Sequence, residues 1–124
     1  MSLRATIIKK LVAISMSGWS NGSIKAQRAR QERTAQYMTQ LMPMDIRYQP
    51  VDADSIPAAW IAAPDANSSV ILYLHGGAYT LGSVDVHCEL ISRLAHVTQA
   101  RILGINYRLA PEHPYPAALE DATA

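Results

Sequence analysis

The chain has 124 residues, a net charge of +1 and 49% hydrophobic residues, the composition of an ordinary globular protein long enough to build a core. The near-neutral charge gives no reason to expect nucleic acid or an acidic membrane surface as a partner. A single cysteine, Cys88, excludes an intrachain disulfide and a cysteine metal cluster, and fits a reducing, cytoplasmic compartment.

Arg4, Lys9 and Lys10 precede a short apolar run over 11–14. The run is too short for a signal peptide and lacks a small-residue cleavage pattern. It is read as part of a helix over 3–16, with a bacterial-type export signal as the alternative. No stretch is long enough to cross a bilayer. A second helix is expected over 23–41. Ile24, Ala29, Tyr37, Met38 and Leu41 form one modest apolar face among Lys25, Arg28, Arg30, Glu32 and Arg33, the pattern of a surface helix. Pro43 closes it.

From Asp45 the pattern changes to strands. Ile46, Tyr48 and Val51, a turn over 52–55, and a second apolar stretch over 58–62 together predict a hairpin. The segment 69–75 is apolar at nearly every position, which predicts a strand buried on both faces of a parallel sheet. A glycine-rich loop over 76–82 follows. The next helix starts near Ser83, a suitable N-cap, with Asp85 in its first turn. Its apolar stripe is Val84, Cys88, Ile91 and Ala95, flanked by Leu90, Leu94 and Val97. A strand over 101–107, an irregular stretch with Pro111, Pro114 and Pro116, and a helix opening at Ala117 complete the chain. This order of helix, hairpin, strand, helix, strand and helix is that of an α/β sheet protein.

The chemistry is concentrated where the buried strand meets the glycine loop, which is where open α/β sheets bind ligands. Two consecutive glycines, Gly76 and Gly77, let the backbone turn sharply and approach a substrate closely. N–H groups after such a turn can converge on one point, as acyl transfer requires when charge develops on a carbonyl oxygen. His75-Gly76-Gly77-Ala78-Tyr79, followed by Leu81-Gly82-Ser83 and His87, resembles the HGGG-type oxyanion motif of esterases and lipases. The segment from Tyr107 through Arg108-Leu109-Ala110-Pro111-Glu112-His113-Pro114 to Asp121 resembles a second motif of the same group, the hormone-sensitive-lipase-like bacterial carboxylesterases. The two motifs lie in the family's order, about thirty residues apart.

The resemblance implies an α/β-hydrolase sheet, of which this chain would supply the first four strands. Two cap-type helices within 1–42 would precede a truncated hydrolase domain over 43–124. It implies hydrolysis of short-chain carboxylic esters through a serine acyl-enzyme, with no cofactor and no metal. Amidase-type acyl hydrolysis and non-catalytic ligand binding on the same fold are the alternatives. The family's pattern gives Gly77 and Ala78 the role of oxyanion donors, Gly76 the turn, and His75 and Tyr79 supporting roles, with His75 bracing the loop rather than acting as a base. Ala78 stands where a third glycine is usual. Alanine keeps its N–H, so the oxyanion hole survives the change provided that the position needs no positive φ. Asn106 stands where aspartate is frequent. Arg108 and Glu112 are read as an ion pair shaping the loop, Tyr107 and Tyr115 as packing residues, and Cys88 as a small buried hydrophobe.

Gly18-Trp19-Ser20-Asn21-Gly22 matches G-x-S-x-G. It precedes a charged helix rather than an apolar one and lies before the oxyanion loop instead of after it, so it is rejected as a nucleophile elbow. The expectation is that nucleophile, acid and base lie beyond Ala124 and that the chain alone is inactive. The strand over 70–74 is expected to form an unpaired edge open to self-association.

Overall fold

A computed structural model describes residues 22–40 and 45–124, without the side chain of Met38. The helix expected over 3–16 and the first four residues of the G-x-S-x-G match lie outside the described residues. The elements run α1 (Ile24–Thr39), β1 (Arg47–Ala53), β2 (Ile56–Ala62), β3 (Val70–Leu74), α2 (Val84–Thr98), β4 (Arg101–Ile105) and α3 (Ala117–Thr123). The four strands form one sheet in the order β1-β2-β4-β3.

The hairpin closes through Asp54 and Ser55, both at positive φ (54° and 70°), the turn geometry that matches strand twist. The Ser55 N–H donates to Asp52 Oδ1. β2 pairs antiparallel with β4, and β3 pairs parallel with β4 through the α2 crossover. Inserting β4 between β2 and β3 brings the end of β4 beside the loop that leaves β3.

Each face of the sheet has its own core. On one face Ala59, Ile61 and Ile102 pack with Val84, Ile91 and Ala95 of α2. The expected stripe is confirmed, with Val84, Cys88, Ile91 and Ala95 all fully buried. Leu90 and Val97, at its flanks, are exposed instead. On the other face Ala58, Ile105 and Tyr107 form a smaller cluster reached by Ala118 and Ala122 of α3.

Two expectations need correction. β3 is not buried on both faces. Ile71 and Tyr73 join the α2-side core, but Val70, Leu72 and Leu74 are about half exposed. The strand's uniform apolarity does not distinguish it from a central strand, whereas it stands at the end of the strand order and none of its residues joins the smaller core. Nor does α1 bury the expected face. Tyr37 and Ala29 are exposed, and among the described side chains of α1 the buried one is Ala35. Arg28, read among the charged residues around that face, lies toward the protein because it has polar partners there, and so does Gln31.

Candidate functional site

The loop leaving β3 is held in an unusual backbone conformation. Gly77 has φ +139°, and Ala78 (53°) and Tyr79 (60°) follow it in the left-handed region. Gly76 is not among the positive-φ residues. The Gly77 carbonyl accepts the N–H groups of Thr80 and Leu81, at 3.0 and 2.9 Å. A side chain at Gly77 would place its Cβ 2.0 Å from the Leu81 carbonyl oxygen, so only glycine fits. Ala78 adopts a positive φ, contrary to the condition under which the hole was expected to survive the alanine. The alanine is accommodated at a strain of about 1 kcal/mol, and its N–H remains. Among the described residues, none accepts a hydrogen bond from the N–H of Gly77 or Ala78.

The nearby helix terminus is differently disposed. Ser83 Oγ accepts from the Val86 N–H at 3.2 Å, and Asn106 Oδ1 accepts from the Val84 N–H at 2.8 Å. Two first-turn donors of α2 are thereby satisfied within the protein. Asn106 thus has a structural account: it caps α2 from the end of β4, and its amide oxygen accepts as a carboxylate would.

His75 begins the loop and is buried. Its ring stacks on Tyr107, with centroids 4.2 Å apart and planes 10° from parallel, and lies 5.9 Å from His87. Nδ1 is 3.1 Å from the Gly76 carbonyl. A carbonyl only accepts, so Nδ1 carries the proton. Burial pushes the His75 pKa below its ordinary value, His87 adds to that, and the bond to Gly76 opposes it. The Tyr107 hydroxyl donates to the His75 carbonyl, and the Ala110 N–H donates to the Tyr79 carbonyl at 2.8 Å. The two motifs are thus stitched together at the backbone.

The ion pairs differ from the expectation. Arg108 does not pair with Glu112. It grips Asp121 of α3 through its own backbone N–H and its guanidinium, at 2.7 to 3.0 Å, and reaches Glu120 at 3.0 Å. That grip holds the Asp121 carboxyl below the usual range. Glu112 pairs with Arg28 of α1, whose guanidinium holds the Glu112 carboxyl below its ordinary value. Sequence reasoning missed Arg28, which is 84 residues from its partner and sits among other charges on its helix. Tyr107 is buried as expected, whereas Tyr115 is 86% exposed at the rim of a cleft.

That cleft has a volume of about 660 Å³ and opens over the loop. Gly77 and Ala78 line it together with Leu74, Tyr79, Tyr107 and Leu119. Its size suits a small ligand. Among the described residues, no three His, Cys, Asp or Glu side chains converge to hold a metal ion. No described helix is long and apolar enough to cross a membrane.

A family described as having the alpha/beta hydrolase fold matches residues 71–124. The acetyl-hydrolase of Streptomyces hygroscopicus is 36% identical over 106 residues, spanning 84% of this chain and 34% of the relative. Esterase LipI of Mycobacterium tuberculosis is 48% identical over 62 residues, 49% of this chain and 19% of the relative. Among solved structures, an esterase from the bacterial hormone-sensitive lipase family superposes with a TM-score of 0.75 at 38% identity, over 83% of this chain and 34% of that one. The chain spans about a third or less of the length of these relatives. Over the residues it shares with these proteins the chain has an α/β-hydrolase fold and is similar to the hormone-sensitive-lipase-like esterases among them.

Proposed function

We propose that this chain provides the oxyanion-binding part of a carboxylic ester hydrolase acting on small, short-chain esters. The observation that carries the reading is the pair of N–H groups on Gly77 and Ala78, without an acceptor among the described residues and lining an apolar cleft. Two such donors stabilise a carbonyl oxygen that gains negative charge in the tetrahedral transition state. His75, stacked and hydrogen-bonded within the loop, acts as a brace, and Gly76 and Tyr79 support the turn. Residues 1–42 are read as a cap segment and 43–124 as part of the hydrolase domain. The nucleophile, acid and base are read as lying outside this chain, so the 124-residue polypeptide is inactive alone. No cofactor is needed for this chemistry. The protein is placed in the cytoplasm, and its sheet edge is a surface for self-association.

The test is turnover of a nitrophenyl acetate by a fusion of this chain to the C-terminal two thirds of the Streptomyces acetyl-hydrolase, with neither part active alone. A cooperatively folding fusion without ester turnover overturns the reading and favours ligand binding or amide hydrolysis. Turnover by the unfused chain that disappears in Ser20→Ala would instead restore the rejected G-x-S-x-G match.

A further inference from the structure

Holding Ala78 and Tyr79 in the left-handed region opposes their intrinsic preference, and such strain persists only where surrounding contacts over-determine the backbone. Besides the Ala110 N–H on the Tyr79 carbonyl and the turn closed onto Gly77, such contacts come from α1. Arg28 Nε donates to the Thr80 carbonyl at 2.8 Å. One terminal nitrogen donates to the Ala110 carbonyl at 2.7 Å, and both terminal nitrogens form a fork with the Glu112 carboxylate, at 3.0 and 2.9 Å. One helical turn later, Gln31 Oε1 accepts from the Gly82 N–H at 3.0 Å. The helix thus holds the loop at two points just after its strained residues, and ties it to the segment that follows β4.

We propose that Arg28, seconded by Gln31, is a positioning residue that keeps the 77–79 backbone in the conformation presenting the Gly77 and Ala78 N–H groups. The functional meaning rests on reading those groups as oxyanion donors; the brace itself does not. A planar, five-donor guanidinium serves two carbonyls and a carboxylate together, which the ammonium of lysine cannot do with the same geometry. Because Arg28 lies on α1, displacement of that helix would loosen the loop.

Amide hydrogen exchange on the 124-residue chain tests this. The reporters are the Thr80 and Leu81 amides, which close the turn onto Gly77, and the Gly82 amide, bonded to Gln31. In Arg28→Ala they should exchange about tenfold faster or more, the scale set by losing charge-assisted bonds, while β2 and β4 amides stay unchanged. Arg28→Lys and Glu112→Gln should fall between Arg28→Ala and the parent, and they carry the test if Arg28→Ala fails to fold. Ala78→Gly supplies a second readout. It relieves strain in the parent, and it should stabilise less in the Arg28→Lys background, where the loop is already looser. Unchanged loop exchange in the folded variants overturns the proposal, as does acceleration of loop and sheet amides in parallel. Equal effects of Ala78→Gly in both backgrounds overturn it as well. No turnover enters these measurements, so an absence of ester hydrolysis leaves the proposal standing and a failed brace leaves the reading of the site untouched.

Discussion

Ala78 is a residue whose chemistry is easy to read and whose conformation is not. Its side chain carries no function, so the alanine in place of a third glycine looks neutral in the sequence. At φ 53° it is strained, and Ala78→Gly should raise stability by no more than about 0.5 kcal/mol after the greater flexibility of glycine in the unfolded chain is deducted. Urea denaturation measures this, and a lower midpoint for the glycine variant would contradict it. The same geometry makes Ala78→Pro a poor probe of the N–H, because proline fixes φ near −65° and would rebuild the turn while deleting the donor. His75 offers a separate test. Its folded pKa lies below the ordinary value of 6.5, so between those two values the unfolded chain binds more protons than the folded one. Stability is complete above about pH 6.5 and falls as the pH drops through that window. Glu112 and Asp121 are depressed carboxylates, and what they contribute is lost only at lower pH, near and below their ordinary range. Urea midpoints taken from pH 7.5 down to about 5 should therefore decline in the parent and flatten in His75→Asn; parallel curves would count against a neutral, buried His75.

At the scale of elements, α2 is anchored by two oxygens from different parts of the chain. Ser83 is local and visible in the sequence as an N-cap. Asn106 is 22 residues away, so nothing in the local pattern marks it as the cap for Val84. Ser83→Ala should cost about 1 kcal/mol. Asn106→Ala should cost about 1–2 kcal/mol, because it leaves the Val84 N–H without its partner. Asn106→Asp should gain a few tenths to about 1 kcal/mol from a negative charge at the positive end of the helix. Calorimetry of the three variants would decide, and a neutral Asn106→Ala would show that water replaces the side chain at no loss. The contrast explains what could be read in advance. Val84, Cys88, Ile91 and Ala95 repeat at helical spacing, and the hairpin announces itself through short apolar runs around a polar turn. These signals lie within one element. The partners of Arg28 lie 52 to 84 residues away, and a charged residue amid other charges gives no sign of where its guanidinium ends. The same holds for Arg108, whose partner is Asp121 and not the nearer Glu112.

At the scale of the molecule, the strand order β1-β2-β4-β3 determines both the site and a liability. Apolar runs identify strands but not their neighbours, so of this order only the unpaired edge at 70–74 is anticipated from the sequence. Placing β3 at the edge leaves one of its long sides without a strand partner among the described residues. Register aligns Leu72 with Leu103 and Leu74 with Ile105, but neither leucine joins the smaller core and both remain about half exposed. An edge of five apolar residues without proline or charge has none of the features that discourage pairing with another chain. Burying its leucines against a second copy removes apolar surface from water at about 25 cal/mol per Å². The 124-residue chain should therefore self-associate at micromolar concentration, with a mass by light scattering that rises with concentration. Val70→Lys and Leu72→Lys place charges on the exposed face of the strand without entering the α2-side core, and together they should shift the population toward a monomer. A parent chain that elutes as a sharp monomer and melts cooperatively would mean that residues outside those described here already cover the edge. A double-lysine variant that associates as strongly as the parent would move the contact to another surface.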